Sequence, residues 1–424
     1  MPQVQSASAA SAASAASAAS ADFDVVVVGG GAAGIGVTAS LLRRRPDLRI
    51  AVIEPSDKHY YQPAWTLVGG GAFDVKKTMR PTRSVMPSRA TWLHTSAAGF
   101  EPQANRVRLA DGASVTYQQL IVCPGLRLAW DKIDGLSDAL GQNGVTSNYR
   151  YDLAPYTWEL VRSMRQGQAL FTQPAMPIKC AGAPQKAMYL ACDHWRRTGV
   201  LDRMHVEFDL AGAALFGVPT FVPPLMRYVE SYGIDLAFNS ALVAVDGPAR
   251  KAWFDVKGAD GSVSRVEKSF DMLHAVPPQV PHDVVRDSAL ADAAGWCEVD
   301  PGSLRHVRFD NVFGLGDGIS TSNAKTAAAA RKQIVTVAEN LIAVREGHAM
   351  PVTYDGYGSC PLTVERGRIV LAEFGYGGKL LPTFPLDPTV PRKSAWFLKA
   401  TLLPWIYWNG MLRGREWLAR PLGN

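Results

Sequence analysis

The run Gly29-Gly30-Gly31-Ala32-Ala33-Gly34 constrains this chain more than any other feature. A GxGxxG pattern alone says little, but its setting here is specific. It follows the expected buried strand Phe23–Val28 and opens a helix predicted over Ala33–Arg44. A second strand, Arg49–Ile53, ends at Glu54, 20 residues past Gly34. That βαβ unit cradles a dinucleotide. Gly29 permits the tight turn, and Gly30 and Gly31 let the backbone approach a pyrophosphate. Gly34 lets helix and strand pack closely. The helix N-terminus offers free N–H groups and positive partial charge to the phosphates. Glu54 is suited to accept from ribose hydroxyls.

A late segment, Asn311-Val312-Phe313-Gly314-Leu315-Gly316-Asp317-Gly318, points to FAD rather than NAD. A short strand ending in Gly-Asp and followed by a helix, here from about Ala324 to Arg345, is the second signature of two-dinucleotide flavoproteins. Asp317 is then expected on the ribityl chain. Lys325, at the helix start, is expected to face the pyrimidine end of the ring, where positive charge stabilises reduced flavin. Cys123-Pro124-Gly125 stands where such proteins usually read Ala-Thr-Gly, which places Gly125 beside the cofactor. The hairpin expected from Arg106–Leu109 and Val115–Tyr117, with a further strand Leu120–Cys123, completes this domain.

A second alternating strand–helix region includes Ala169–Thr172, Pro184–Arg197 and His205–Leu210. A pyridine-nucleotide enzyme would carry another GxGxxG after Ala169–Thr172. This chain reads Gln173-Pro174-Ala175-Met176-Pro177-Ile178-Lys179-Cys180-Ala181-Gly182-Ala183-Pro184 instead. The phosphate-cradling glycines are absent, which disfavours NAD(P)H as donor. A cysteine stands before the helix, next to Lys179. A helix N-terminus and a neighbouring cation both favour a thiolate.

The expected fold class is therefore α/β: two Rossmann-like domains of the glutathione-reductase type plus a C-terminal membrane-associating helical region. The expected organisation is a disordered Ala/Ser-rich leader (1–21), the first part of the FAD domain (22–150), a second Rossmann-like domain without the nucleotide glycines (151–300), the rest of the FAD domain (301–375), and the C-terminal region (376–424). Five cysteines at wide spacing, with no CxxC and no zinc-like cluster, point away from a disulfide scaffold or a metal site. Cys123, Cys192 and Cys297 read as packing residues.

The net charge is +6, and six basic residues from Arg392 onward against Glu416 alone put +5 of it in the tail. Trp396, Trp405, Trp408 and Trp417 lie among these cations, and Lys399 and Pro404 break any spanning helix. Aromatic residues with flanking Lys and Arg suit the headgroup layer of a bilayer surface rather than nucleic acid. The location expected is the cytoplasmic face of a bacterial inner membrane, with homo-oligomerisation left open.

Several long stretches resemble sulfide:quinone oxidoreductases, in particular the branch that includes the mitochondrial enzyme. They are His59-Tyr60-Tyr61-Gln62-Pro63-Ala64-Trp65-Thr66-Leu67-Val68-Gly69, Pro177 to Lys186, Asp292-Ala293-Ala294-Gly295-Trp296, Lys325-Thr326-Ala327-Ala328-Ala329, and Tyr354 to Leu362. The resemblance runs from about Phe23 to Arg415. It implies that Cys180 and Cys360 are the redox pair facing the flavin and that Gln62 and Ala97 are flavin contacts. It implies hydrogen sulfide as donor, a membrane quinone as electron acceptor, and a small sulfur acceptor or polysulfide as the outlet for sulfane sulfur. Sulfide would open the bridged cysteines to a persulfide and a thiolate, and two electrons would pass to FAD and on to quinone. The rival readings are a type II NADH:quinone oxidoreductase, the flavin subunit of a flavocytochrome sulfide dehydrogenase, and a non-enzymatic flavin-loaded binding protein.

Overall fold

A computed structural model describes residues 22–419. The expected leader over 1–21 and the end of the tail lie outside the described residues.

The valines of Phe23–Val28 are buried on both faces, so this strand must sit inside a parallel sheet. It pairs in parallel with Ile50–Ile53 on one side (Val25 opposite Ile50) and Ser114–Val122 on the other (Val26 opposite Leu120). Val312–Gly314 adds in parallel to Ser114–Val122, so the late Gly-Asp segment returns to the sheet that carries the glycine turn. The two pieces expected at Val115–Tyr117 and Leu120–Cys123 are one continuous strand. Its first half pairs antiparallel with Arg106–Leu109 and its second half continues into the parallel core.

A second parallel sheet has the order Val145–Thr146, Met272–His274, Gly167–Gln173, Met204–Leu210, Ile234–Phe238. The amphipathic helix Ala183–Arg197 packs on it through Met188, Ala191, Cys192 and Trp195. An antiparallel hairpin, Gly358–Glu365 with Arg368–Phe374, packs against this helix through Cys360 and Leu362. That hairpin brings Cys360 to Cys180 across 180 residues of chain.

The C-terminal segment forms a helical run from Lys393 to Asn409, with a π-turn at Leu398–Leu402. Tyr407, Trp408, Met411 and Leu412 join the core of the first sheet. Arg44 and Glu416 form an ion pair that ties the tail to the glycine-turn helix.

Candidate active site

The glycine turn is built by close approach. Gly29 takes φ +105°, and a Cβ there would meet Cys123 O at 2.5 Å. A Cβ on Gly34 would lie 1.8 Å from Gly29 O, so only glycine lets the helix sit this close to the strand. Gly31 has nothing within 4 Å of a built Cβ and opens onto a cavity of about 450 Å³. Glu54 accepts from Gly30 N at 2.8 Å and from Ser56 N at 2.7 Å, and borders the same cavity. Gly125, Asp317, Lys325 and Gln62 also line it. Ala97 does not. It lies in the strand Ala97–Glu101, opposite Leu109, and is not among the residues lining the cavity.

Thr66 Oγ1 and the Asn148 side-chain amide line the cavity, are buried, and lack a partner among the described residues. Such groups call for a polar ligand. A glycine-walled cleft with an acid at the ribose position, a second acid at Asp317 and orphaned donors fits a dinucleotide cofactor such as FAD.

Lys325 is buried, and burial lowers its pKa to about 8. Its ammonium donates to Ile319 O at 2.8 Å and lies 4.6 Å from the Trp296 ring. Its carbonyl accepts from Cys180 N at 2.8 Å, which links the start of the flavin helix to the cysteine loop.

Cys180 Sγ lies 4.0 Å from Cys360 Sγ, and neither is bonded. Cys180 lines the cavity, while Cys360 is fully buried beside it. Cys180 adopts φ +48°, a left-handed conformation that costs a non-glycine residue on the order of 1 kcal/mol or more. Three hydrogen bonds hold it there: Cys180 N to Lys325 O, Ala183 N to Cys180 O, and Tyr149 Oη to Cys180 O.

The two thiols differ in kind. The Cys360 thiol, donating to Cys180, holds the Cys180 pKa well below the ordinary thiol value, with burial opposing and Lys186 and Lys399 assisting. That hydrogen bond and burial push Cys360 well up. Together with the Lys186 ammonium 3.1 Å away, this favours the thiolate at Cys180 over Cys360.

Lys179 adds its charge near Cys180 but is not the cation in contact with the sulfur. Its Nζ donates to Gln62 Oε1 at 2.6 Å. Lys186 takes that role, with Nζ 3.1 Å from Cys180 Sγ and 1% exposure. Although burial opposes its charge, the two cysteine sulfurs raise its pKa. Nor does Cys180 sit in the helix, which begins at Ala183 with Gly182 as its N-cap.

Lys399, from the tail, reaches the same cavity. It is 5% exposed and donates to Pro63 O at 3.3 Å, and burial followed by the Lys186 charge lowers its pKa to about 7. Sequence reasoning placed Lys399 among headgroup cations, since nothing local signals that the chain folds it inward. Lys186 sits in the first turn of the helix that follows the Cys180 loop, and no spacing rule pairs it with that sulfur. Trp408 is buried too, with the Arg80 guanidinium 4.3 Å from its ring, so it is not a headgroup residue.

The remaining cysteines are buried. Cys123 Sγ donates to Gly29 O at 3.5 Å, and burial raises the Cys123 and Cys192 thiols. Burial pushes Cys297 up to about 12. Among the described residues no cluster of His, Cys, Asp and Glu could hold a metal ion.

The family model described as "Pyridine nucleotide-disulphide oxidoreductase" matches residues 23–179. A Dictyostelium discoideum protein named "Sulfide:quinone oxidoreductase, mitochondrial" is 41% identical over 396 residues, covering 92% of this chain and 86% of its own length. A Mus musculus protein of the same name is 36% identical, covering 92% of this chain and 87% of itself. The X-ray structure of the sulfide:quinone oxidoreductase of the bacterium Aquifex aeolicus superposes with a TM-score of 0.76 at 17% identity, covering 92% of each chain.

Proposed function

Because this chain belongs to the sulfide:quinone oxidoreductase family, we propose that Cys180 and Cys360 carry electrons from sulfide to an FAD held against the glycine turn. The chain is a flavin-dependent oxidoreductase with sulfide and quinone as substrates. The relatives favour this reading over an NADH:quinone oxidoreductase or a flavocytochrome-type subunit.

FAD, when bound, takes two electrons from the cysteine pair and gives them up to quinone. Gly30 and Gly31 would face its pyrophosphate, Glu54 its ribose, Asp317 its ribityl chain, and Gln62, Gly125 and Lys325 its ring side. In the oxidised enzyme the cysteines form a disulfide. Hydrosulfide attacks the Cys360 sulfur, the S–S bond breaks, and Cys180 leaves as thiolate. The lower-pKa thiol is the better leaving group, and Lys186 and Lys399 stand beside the sulfur that gains the charge. Cys360 then carries the sulfane sulfur as a persulfide. A nucleophilic acceptor removes that sulfur and restores the dithiol. Reclosure of the dithiol to the disulfide gives up two electrons and two protons and resets the pair. The observation that carries this reading is the 4.0 Å approach of the two sulfurs at the cavity wall, with Lys186 Nζ 3.1 Å from one of them.

The direct test is steady-state turnover of the purified flavoprotein. Quinone reduction is expected with sulfide and not with NADH, and NADH-driven turnover without sulfide-driven turnover would overturn the reading.

The mitochondrial names of the eukaryotic relatives weigh against the cytoplasmic face of a bacterial inner membrane, and that expectation is withdrawn. No helix among the described residues is long and apolar enough to cross a membrane. Attachment at a bilayer surface is supported by the exposure of the large apolar side chains Phe397 (59%) and Trp405 (52%). Trp405 stacks on Trp417 at 5.1 Å, which presents a flat aromatic edge. Phe397→Gln combined with Trp405→Gln is expected to weaken liposome binding about tenfold. Co-flotation measures this, and unchanged flotation would count against the tail as a membrane foot.

A further inference from the structure

One cation on the cavity wall has no role in the cysteine chemistry described above. Arg331 lies on the long helix Ala327–Arg345, one turn past Ala327. Its side chain lines the cavity at only 9% exposure, its Nε has no hydrogen-bond partner, and no ion pair among the described residues includes it. Glu373, a buried acid that lines the same cavity, does not pair with it. Glu373 accepts from Tyr357 Oη, from Thr383 N at 2.9 Å and from Thr383 Oγ1 at 2.6 Å, so neutral donors satisfy it. A buried guanidinium left without an acceptor is unfavourable unless a ligand supplies one.

The tail adds apolar side chains to the wall of the same cavity. Leu398, Leu403 and Ile406 line the cavity, and their sequence neighbours Phe397 and Trp405 are exposed. Apolar side chains and one unsatisfied donor on the wall of one cavity match a hydrophobic molecule with a polar head that accepts hydrogen bonds.

We propose that Arg331 anchors the quinone, donating to a ring carbonyl while Leu398, Leu403 and Ile406 hold the ring and the start of its tail. This rests on the quinone being the electron acceptor. A neutral carbonyl satisfies the guanidinium without adding a buried charge. As the quinone takes two electrons and two protons to become quinol, negative charge gathers on its oxygens, and a fixed cation there stabilises it. Arg331 keeps its own proton throughout and supplies only hydrogen bonds and charge.

The test separates the two half-reactions of the flavin-loaded enzyme for Arg331→Met, Arg331→Gln and Arg331→Lys. Anaerobic flavin reduction by sulfide is expected to stay within about twofold of wild type. The KM for decylubiquinone is expected to rise about ten- to hundredfold in Arg331→Met, with a smaller fall in kcat and partial recovery in Arg331→Lys. An unchanged quinone KM overturns the proposal. So does loss of flavin with equal slowing of both half-reactions, which would assign Arg331 to the flavin cradle. Unchanged quinone kinetics with weaker binding to anionic vesicles would assign it to a lipid phosphate instead. Failure of sulfide to reduce the wild-type flavin would overturn the functional reading itself, and the quinone anchor with it.

Discussion

Cys180→Ser and Cys360→Ser are each expected to lower sulfide-dependent quinone reduction by at least ~10³-fold, with flavin content retained. The two losses differ in kind. Cys360→Ser removes the sulfur that hydrosulfide attacks but leaves a thiolate at Cys180, since a serine hydroxyl is able to donate as the Cys360 thiol does. Lys186 still holds that thiolate at 3.1 Å. Cys180→Ser removes the thiolate itself. Alkylation at neutral pH should therefore label the Cys360→Ser protein at position 180 and leave Cys123, Cys192 and Cys297 unlabelled in both variants, because those thiols are buried with raised pKa values. Peptide mapping after iodoacetamide treatment measures this. Rapid labelling at Cys192 or Cys297 would contradict the assignment of low-pKa character to Cys180 alone.

Lys399→Met is expected to stabilise the fold and impair the chemistry. An ordinary lysine titrates near 10.5, and burial lowers Lys399 to about 7. Below pH 7 the ammonium is charged in both the folded and unfolded states, and the wild type bears the full cost of burying it. Between pH 7 and 10.5 the unfolded chain binds more protons, so wild-type stability rises with pH through that window. Above it the lysine is neutral in both states and the cost is gone. Methionine removes the cost. The variant should be more stable by on the order of 4 kcal/mol at pH 7 and below, with the difference fading toward pH 10.5. Flavin reduction by sulfide should slow about tenfold, since one of two cations beside Cys180 is lost. Denaturant unfolding at several pH values, read together with stopped-flow reduction, measures both. A variant less stable than wild type at pH 7 would mean that Lys399 is held by favourable contacts and not against a desolvation cost.

The first sheet was legible because its signals are local. Phe23–Val28, the glycine turn and Glu54 fall within 32 residues, and each has a steric or hydrogen-bonding reason that sequence states directly. The missing second glycine motif was equally plain, since prolines stand where the cradle would be. What joins the two halves of the site was not local. No spacing pairs Cys180 with Cys360, because the hairpin that carries Cys360 docks on the Ala183–Arg197 helix only through tertiary packing of Cys360 and Leu362. The family resemblance supplied that pair. Lys179 looked like the activating cation because it is adjacent in sequence, but adjacent residues on an irregular loop point apart, and Lys186 folds back instead. The tail misled in the same way. Aromatic and basic composition matches an interfacial helix, and Phe397 and Trp405 are exposed as that reading requires, but Trp408 and Lys399 turn inward. Composition assigns a segment to a class and does not resolve which side of a helix faces the core.

The most direct measurement is an anaerobic titration of the flavin-loaded protein with sulfide, followed by visible absorbance. Near-stoichiometric bleaching of the oxidised-flavin absorbance band, abolished in Cys180→Ser and in Cys360→Ser, is the predicted result. Full bleaching by sulfide in either serine variant would show that electrons reach the ring without the cysteine pair, and would contradict the account.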